Sequence, residues 1–476
     1  MVIAKNTKVL LCEFPSTPIS KIEFNDQIMK LWSSVTVAKK KKGHYPEFVG
    51  GKKIDDNNLD SFEFENIGGW ALSLLPHIED LAVCDYLKLS SNNAKEAIVE
   101  ISDKTDNTGY LILLLSFISA HLLIVKNLIL ELKKKYHNII VVVGGRHATA
   151  EPLETLWITN ADVVVVGEAD HLIRSLIKSL IDRQKIRHPS IIYKGDHREP
   201  ISTFSDFSNR EYSWDLFFNE TNCLNQYTPQ LIFERHCPAL CGFCSRLMCR
   251  KSFPNIGSKI ITWMDEYFER IDNKKGVFLE IEDPAINFEE YFYNGIFEYF
   301  SSKNIKWEGM CRVRCETEKK SDDFFSAAKN SGCLSLFIGV ESFQQNVLDL
   351  LQKKVCSDDI EPFMAKLKDV GIGTALNLIV GLPGQSCEDF QNDVDRTCKL
   401  ITDGIVDVAG VTFLSLYPGT KFRKNPSAYG ITLHDSNYEN LELQVQHSTK
   451  LLSSELIMEL YEWALNKLVY AMQLSN

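Results

Sequence analysis

The sequence predicts an α/β protein: a doubly wound (Rossmann-like) N-terminal domain, then a partial (β/α)6 barrel, then a C-terminal helical segment. Three observations predict it. Residues 110–181 alternate short Val/Ile/Leu runs with stretches of helical period. Residues 231–416 repeat the strand–helix unit six times. Residues 453–472 place apolar side chains along one helical face. A chain of 476 residues has room for about three domains at ~150 residues each. The expected division is 1–190 for the first domain, 191–230 for a connector, 231–420 for the barrel and 421–476 for the helical segment.

Residues 8–12 open with a short buried strand. Lys39 to Lys42 form a basic run, read as a solvated loop. Residues 110–116 are a strand and 122–136 a helix ending in Lys133, Lys134 and Lys135, which suit the negative end of a helix dipole. Residues 139–143 form a second strand stopped by Gly144 and Gly145. Helix 152–158, strand 162–166, stopped by Gly167 and Glu168, and helix 172–181 follow. Continuous aliphatic strands between helices imply a parallel sheet covered on both faces. Such sheets bind ligands at their carboxyl ends, where Ser116, Gly144, Gly145, Gly167 and Glu168 sit. Residues 182–230 show no sustained period. The second block has strands near 231–234, 277–282, 306–308, 334–340, 374–380 and 408–416, with helices near 259–270, 324–329, 360–370 and 387–400. Barrel chemistry sits at the carboxyl ends of the strands.

Lys plus Arg number 52 against 63 Asp plus Glu, a formal charge of −11. A net-acidic chain is a poor general binder of nucleic acid, which needs cations to neutralise phosphates. The N-terminus lacks the pattern of a signal peptide. The longest apolar run, residues 110–125, is broken by Ser116, Ser119 and His121 and is shorter than the ~20 residues of a membrane span. A cytoplasmic, soluble protein with no nucleic-acid or membrane partner is expected. Of the 13 cysteines, Cys12, Cys84, Cys223, Cys333, Cys356, Cys387 and Cys398 are scattered and read as small buried hydrophobes.

One cluster differs. Cys237-x-x-x-Cys241-x-x-Cys244 directly follows the first strand of the second block, with Cys249 nearby. With 13 cysteines in 476 residues, chance gives such a triplet about 1% of the time. Three thiolates on a tight loop can hold three irons of a four-iron cluster and leave the fourth open. Two rival readings are a zinc site completed by Cys249 and packed cysteines without metal. A closed structural site gains little from standing at the mouth of a barrel.

The pattern Cys-x-x-x-Cys-x-aromatic-Cys, with Phe243 as the aromatic, resembles the radical SAM superfamily. The resemblance implies a [4Fe-4S] cluster on Cys237, Cys241 and Cys244 whose open iron chelates S-adenosylmethionine. The reduced cluster then generates a 5′-deoxyadenosyl radical that removes a hydrogen atom from substrate. Glu282 and Asp283 end the second barrel strand, where the superfamily holds the methionine amino group. Glu341, in Phe-Ile-Gly-Val-Glu-Ser, would bond the ribose. Asn377 and Gly381, in Asn-Leu-Ile-Val-Gly-Leu-Pro-Gly, resemble the adenine-side motif, and residues 416–420 match a later turn. His236 stands where relatives carry Gly.

The first block resembles the cobalamin-binding domain that precedes the barrel in one large radical SAM subgroup. Ser116, Gly144, Gly145, Gly167 and Glu168 carry the match and would flank the cofactor's nucleotide tail. No Asp-x-His-x-x-Gly loop occurs; His121 and His147 are candidate cobalt ligands by position. The resemblance implies a C-methyltransferase acting on an unactivated carbon of a small metabolite or peptide, served by an external electron donor such as flavodoxin or ferredoxin. A rearrangement, cyclisation or oxidation on the same cofactors is the alternative, and a zinc-stabilised non-catalytic binder is the third. Arg312 and Arg314 follow the third barrel strand and point either to a carboxylate of cofactor or substrate or to a surface ion pair. Cys311 and Cys315 bracket them. Residues 421–476 are expected over the open end of the barrel or at an oligomer contact.

Overall fold

A computed structural model describes residues 4–14, 42–54, 69–105, 109–203, 211–220, 227–233, 237, 239–245, 256–283, 286, 288–313, 321–435, 438, 441 and 444–475. His236, Cys249, Arg314 and Cys315 lie outside these residues, as do Cys223 and Lys39–Lys41.

Two six-stranded sheets build the molecule. The first takes β1 (Ala4–Glu13), β2 (Ala82–Lys88), β3 (Tyr110–Ser116), β4 (Ile139–Gly144), β5 (Val163–Val165) and β6 (Ile191–Tyr193), in the order β2-β1-β3-β4-β5-β6. The first five strands pair in parallel, and β6 closes the edge antiparallel. Ile112 and Leu114 of β3 face one apolar cluster, and Leu111, Leu113 and Leu115 face the other. That burial on both faces is the sequence-level reason for the continuous aliphatic run. Strands β2 and β6 are additions to the sequence reading. Strand β6 is three residues long, within the stretch that lacks a period.

The second sheet takes β7 (Gln230–Leu231), β8 (Val277–Ile281), β9 (Ile305–Cys311), β10 (Cys333–Glu341), β11 (Gly373–Val380) and β12 (Val408–Phe413). All pair in parallel and in sequence order, and β7 and β12 stay unpaired with each other. This is the partial (β/α)6 barrel expected. Its core is continuous with one face of the first sheet. Helix Cys387–Thr402 starts at a capping box of Ser386 and Asp389, which satisfies end N–H groups that the helix cannot.

The terminal helix Ser454–Leu474 lies along the last strand rather than over the barrel mouth. Tyr461 meets Phe413 edge-on at 5.6 Å, and Met472 sulfur accepts from Ala409 N–H. The segment before it does reach the mouth, through Phe422 and His447. Among the described residues, no helix is long and apolar enough to cross a membrane.

Residues 42–54 fall inside the span 1–190, yet they pack beneath the barrel. Gly50 and Gly51 N–H donate to the Gly276 and Lys275 carbonyls, and Val49 and Ile54 cover Phe278. Lys42, read as part of a solvated run, donates to the Ser475 carbonyl beyond the terminal helix. His44, fully buried, contacts Asp407 at 3.3 Å, and Lys368 contacts the same carboxylate at 3.2 Å. Burial pushes the Asp407 pKa up, but hydrogen bonds from His44 and Thr374 N–H, with the charges of His44 and Lys368, outweigh it and hold it below the ordinary value. A carboxyl with a lowered folded pKa stabilises above its unfolded pKa and loses that as pH falls through the folded value. Asp407→Asn is expected to cost about 1–3 kcal/mol at pH 7, by leaving part of this network unmatched. The gap in urea midpoint between wild type and variant should be full at pH 7 and shrink below pH 4.

Candidate active site

The carboxyl ends of β3, β4 and β5 open on a cavity of about 310 Å³. Ser116, Gly144, Gly145, Gly167 and Glu168 all line it, so the structure brings together the whole predicted set in the first domain. The glycines differ in their reasons. A Cβ on Gly144 would meet only the Val165 carbonyl oxygen, at 3.7 Å, so a side chain there would fill the cavity. Gly145 has φ +95°, and its Cβ would lie 2.7 Å from the Phe117 carbonyl oxygen. Gly167 has φ +83°, and its Cβ would lie 2.5 Å from the Thr203 carbonyl oxygen. Glycine at 145 and 167 is therefore required by the chain itself.

Trp70 forms part of the wall and was missed by the sequence reading. Its indole N–H donates to Glu13 at 2.7 Å, and Tyr86 hydroxyl donates to the other oxygen of that buried carboxylate. His121 and His147 are buried, and neither lines the cavity. His121 stacks on Phe14 at 4.8 Å with both ring nitrogens unpartnered. His147 bonds Ser119 at 3.0 Å and packs between Phe117 and Tyr438. Burial lowers both pKa values to about 4, so both rings are neutral core groups.

The barrel contributes Ile232 and Glu282 to the same cavity. Gln230 amide donates to Glu282 at 2.9 Å and to Glu280 at 2.7 Å, fixing the Glu282 carboxylate. Asp283 diverges: it is fully buried and accepts from Tyr291 hydroxyl at 2.6 Å. Successive residues at a strand end face opposite ways, so the two carboxylates meet different surroundings.

The cysteine loop stands beside the barrel mouth. Cys237 is buried, Cys241 and Cys244 are half-buried, and none of the three is in a disulfide. Gly242 N–H donates to the Leu351 carbonyl at 2.9 Å, and its carbonyl accepts from Phe422 N–H at 3.1 Å. Lys421 donates to the Leu240 carbonyl at 3.2 Å. Among the described residues, no three His, Cys, Asp or Glu side chains converge as ligands of one ion. A four-iron cluster does not require that, because each thiolate binds a different iron.

Glu341 ends β10 with φ +65° and meets Lys353 at 2.5 Å. Arg312 donates to the Lys353 carbonyl at 2.6 Å, and among the described residues it joins no ion pair. Burial pushes the Cys241 thiol up. Lys353 pulls it down as the strongest nearby charge, Cys244 and Glu341 push it up, and Arg312 pulls it down. Asn377 donates to Thr412 at 3.0 Å, tying β11 to β12. Gly381 has φ +83°; Gln385 accepts from its N–H at 3.0 Å, and His447 donates to its carbonyl at 3.0 Å. Gln385 and His447 were missed, although Gln385 directly follows the Gly-Leu-Pro-Gly turn. Asp393 accepts from Ser342 hydroxyl, Phe343 N–H and Gln344 amide, and so fixes the turn after Glu341.

Comparison with known proteins joins the two halves. The B12 binding domain model matches residues 79–177, and the radical SAM superfamily model matches residues 231–397. The chain is a cobalamin-dependent radical SAM enzyme. An uncharacterized methyltransferase of Pyrococcus horikoshii is 22% identical over 365 residues, covering 68% of this chain and 72% of that protein. An anaerobic magnesium-protoporphyrin IX monomethyl ester cyclase of Cereibacter sphaeroides is 24% identical over 309 residues, covering 60% of this chain; those residues span 48% of the cyclase. The structure of the radical S-adenosylmethionine methyltransferase TsrM from Kitasatospora setae, with cobalamin and a [4Fe-4S] cluster bound, shares the fold. Its TM-score is 0.60 at 11% identity, covering 97% of this chain and 90% of that one.

This radical SAM enzyme uses a [4Fe-4S] cluster, S-adenosylmethionine and cobalamin. The residues present fit them. The glycine-floored cavity carries carboxylates of Glu168 and Asp170 that can accept from the amide groups of a corrin ring. Three cysteines on one braced loop, none in a disulfide, suit an iron–sulfur cluster.

A Cβ on Gly242 would stand 2.3 Å from the Phe422 ring, which is fully buried. Overpacking of this kind costs about 1–3 kcal/mol. Gly242→Ala is expected to lower iron content after anaerobic reconstitution several-fold, with Gly242→Ala/Phe422→Ala recovering most of it. Burial raises the Asp393 pKa to about 6, against the hydrogen bonds from Ser342, Gln344 and Phe343 N–H. A raised folded pKa gives stability that is full below the unfolded value and lost as pH rises through about 6. The urea-midpoint advantage of wild type over Asp393→Asn should therefore shrink between pH 4 and pH 7.

Proposed function

We propose that the enzyme is a C-methyltransferase acting on an unactivated carbon of a small molecule or peptide. The observation that carries this reading is the shared cavity: strand ends of the cobalamin domain and Glu282 and Ile232 of the barrel form one wall. Two cofactor sites that face a common space can serve one substrate carbon in sequence. The P. horikoshii relative and TsrM, both named as methyltransferases, support it.

When bound, S-adenosylmethionine on the reduced cluster supplies hydrogen-atom abstraction and methylcobalamin supplies the methyl group. The chain's own residues do the rest. Cys237, Cys241 and Cys244 would hold three irons. Glu282, fixed by Gln230, would accept from the methionine amino group, with Asp283 buttressing that strand end through Tyr291. Glu341 would meet the ribose with the oxygen not engaged by Lys353. Asn377 and the Gly381 turn would border the adenine. Ser116, Gly144, Gly145, Gly167 and Glu168 would hold the corrinoid tail, and Leu114, Val142 and Val165 keep water from it. A one-electron donor of the flavodoxin or ferredoxin class would reduce the cluster.

The cyclase relative favours a second reading, ring closure on the same cofactors without methyl transfer. Anaerobic turnover with methyl-deuterated S-adenosylmethionine and a panel of small molecules and peptides separates the two. Methylation predicts a product carrying the labelled methyl, with S-adenosylhomocysteine and 5′-deoxyadenosine in equal amounts. Formation of 5′-deoxyadenosine with a product lacking the methyl would overturn it in favour of the second reading.

A further inference from the structure

We propose that the buried Lys353–Glu341 pair is a charge device that sets how readily the iron–sulfur cluster accepts an electron, with the Lys353 ammonium as its working group. The proposal rests on cluster ligation by Cys237, Cys241 and Cys244. It does not depend on whether the enzyme methylates or cyclises.

Position is the first support. Leu351, two residues before Lys353, accepts from the N–H of Gly242, which follows Cys241. Lys421 bridges the Gln352 side chain and the Leu240 carbonyl. The loop that carries the lysine is therefore bonded directly to the loop that carries the thiols.

Burial is the second. The Lys353 side chain is 5% exposed and that of Glu341 11%. Water screens such charges poorly, so they act over longer range than surface charges do. A buried pair is weak evidence for stability, because desolvation offsets the attraction. Its retention asks for another use.

Backbone geometry is the third. Glu341, Gln352 and Lys354 all adopt positive φ, at +65°, +58° and +57°. None is glycine, and such conformations persist where surrounding structure over-determines them, commonly at functional sites. A Cβ on Gly339 would lie 2.7 Å from the Glu341 carboxylate and 3.3 Å from the Lys353 nitrogen, so the pair occupies space that a side chain would take. Arg312 holds the Lys353 carbonyl and adds a second cation.

The consequence follows from charge. An electron arriving on the cluster adds negative charge beside the thiolates. A fixed, desolvated cation there stabilises the reduced form, and an anion opposes it. Lys353 and Arg312 bring two cations to the loop that is bonded to the thiol loop, against the single Glu341 carboxylate. The net effect is to ease reduction.

The test is a mediated redox titration of the anaerobically reconstituted full chain, without S-adenosylmethionine, followed by electron paramagnetic resonance. Lys353→Gln is expected to move the cluster midpoint to more negative potential. Lys353→Arg should stay near wild type, and Lys353→Gln/Glu341→Gln should fall between wild type and the single variant. A Lys353→Gln midpoint equal to wild type at equal iron content would overturn the proposal. So would a Lys353→Arg midpoint displaced as far as that of Lys353→Gln. If Lys353→Gln takes up no cluster, Arg312→Gln reads the same field: a more negative midpoint supports the proposal and an unmoved one overturns it. A wild-type chain that binds no iron on reconstitution overturns the ligation reading instead.

Discussion

Two parallel sheets present their carboxyl ends to one space, and everything chemical in the molecule depends on that. A parallel strand leaves its last residues pointing out of the sheet edge, where backbone groups are unpaired and side chains are free to face a ligand. In this chain the ends of β3, β4 and β5 and the residues beside β7 and β8 meet in a single cavity. The apolar core runs without a break from one face of the first sheet into the barrel. Relative placement of the two candidate sites is thus set by packing.

Around the cysteine loop the arrangement is different in kind. Among the described residues of the loop there is no helix or strand, and contacts from distant parts of the chain shape it. Leu351, Phe422 and Lys421 each grip it by a backbone or side-chain hydrogen bond, and Phe243 packs into a small cluster with Phe422 and Leu382. Clamping of this sort keeps a flexible, glycine-containing loop in one conformation before any cofactor arrives. The Gly381 turn shows the same design, held by Gln385 from within and by His447 from the C-terminal segment.

Much of this was legible in the sequence. Aliphatic runs at the right spacing gave both sheets, because fully buried parallel strands leave an unmistakable pattern. Strand-end glycines and the Cys-x-x-x-Cys-x-x-Cys triplet pointed to both halves of the candidate site. What stayed hidden depends on contacts across long sequence separations. Lys353 looks like any lysine after a helix, and only the fold buries it against Glu341. Phe422 and Trp70 carry no periodic signal. Glu282 and Asp283 read as a pair because adjacency in sequence says nothing about which way each side chain turns at a strand end. Gly167 suited a cofactor contact equally well, yet its immediate constraint is the Thr203 backbone. Strand β6 was too short to register.

The segment 42–54 lies between β1 and β2 in the chain, yet it packs under the barrel. The N-terminal half therefore supplies part of the barrel's base. Cutting the chain between the sheets would not release two intact units: the N-terminal piece would carry Val49 and Ile54 away uncovered, and the barrel would lose the cover of Phe278.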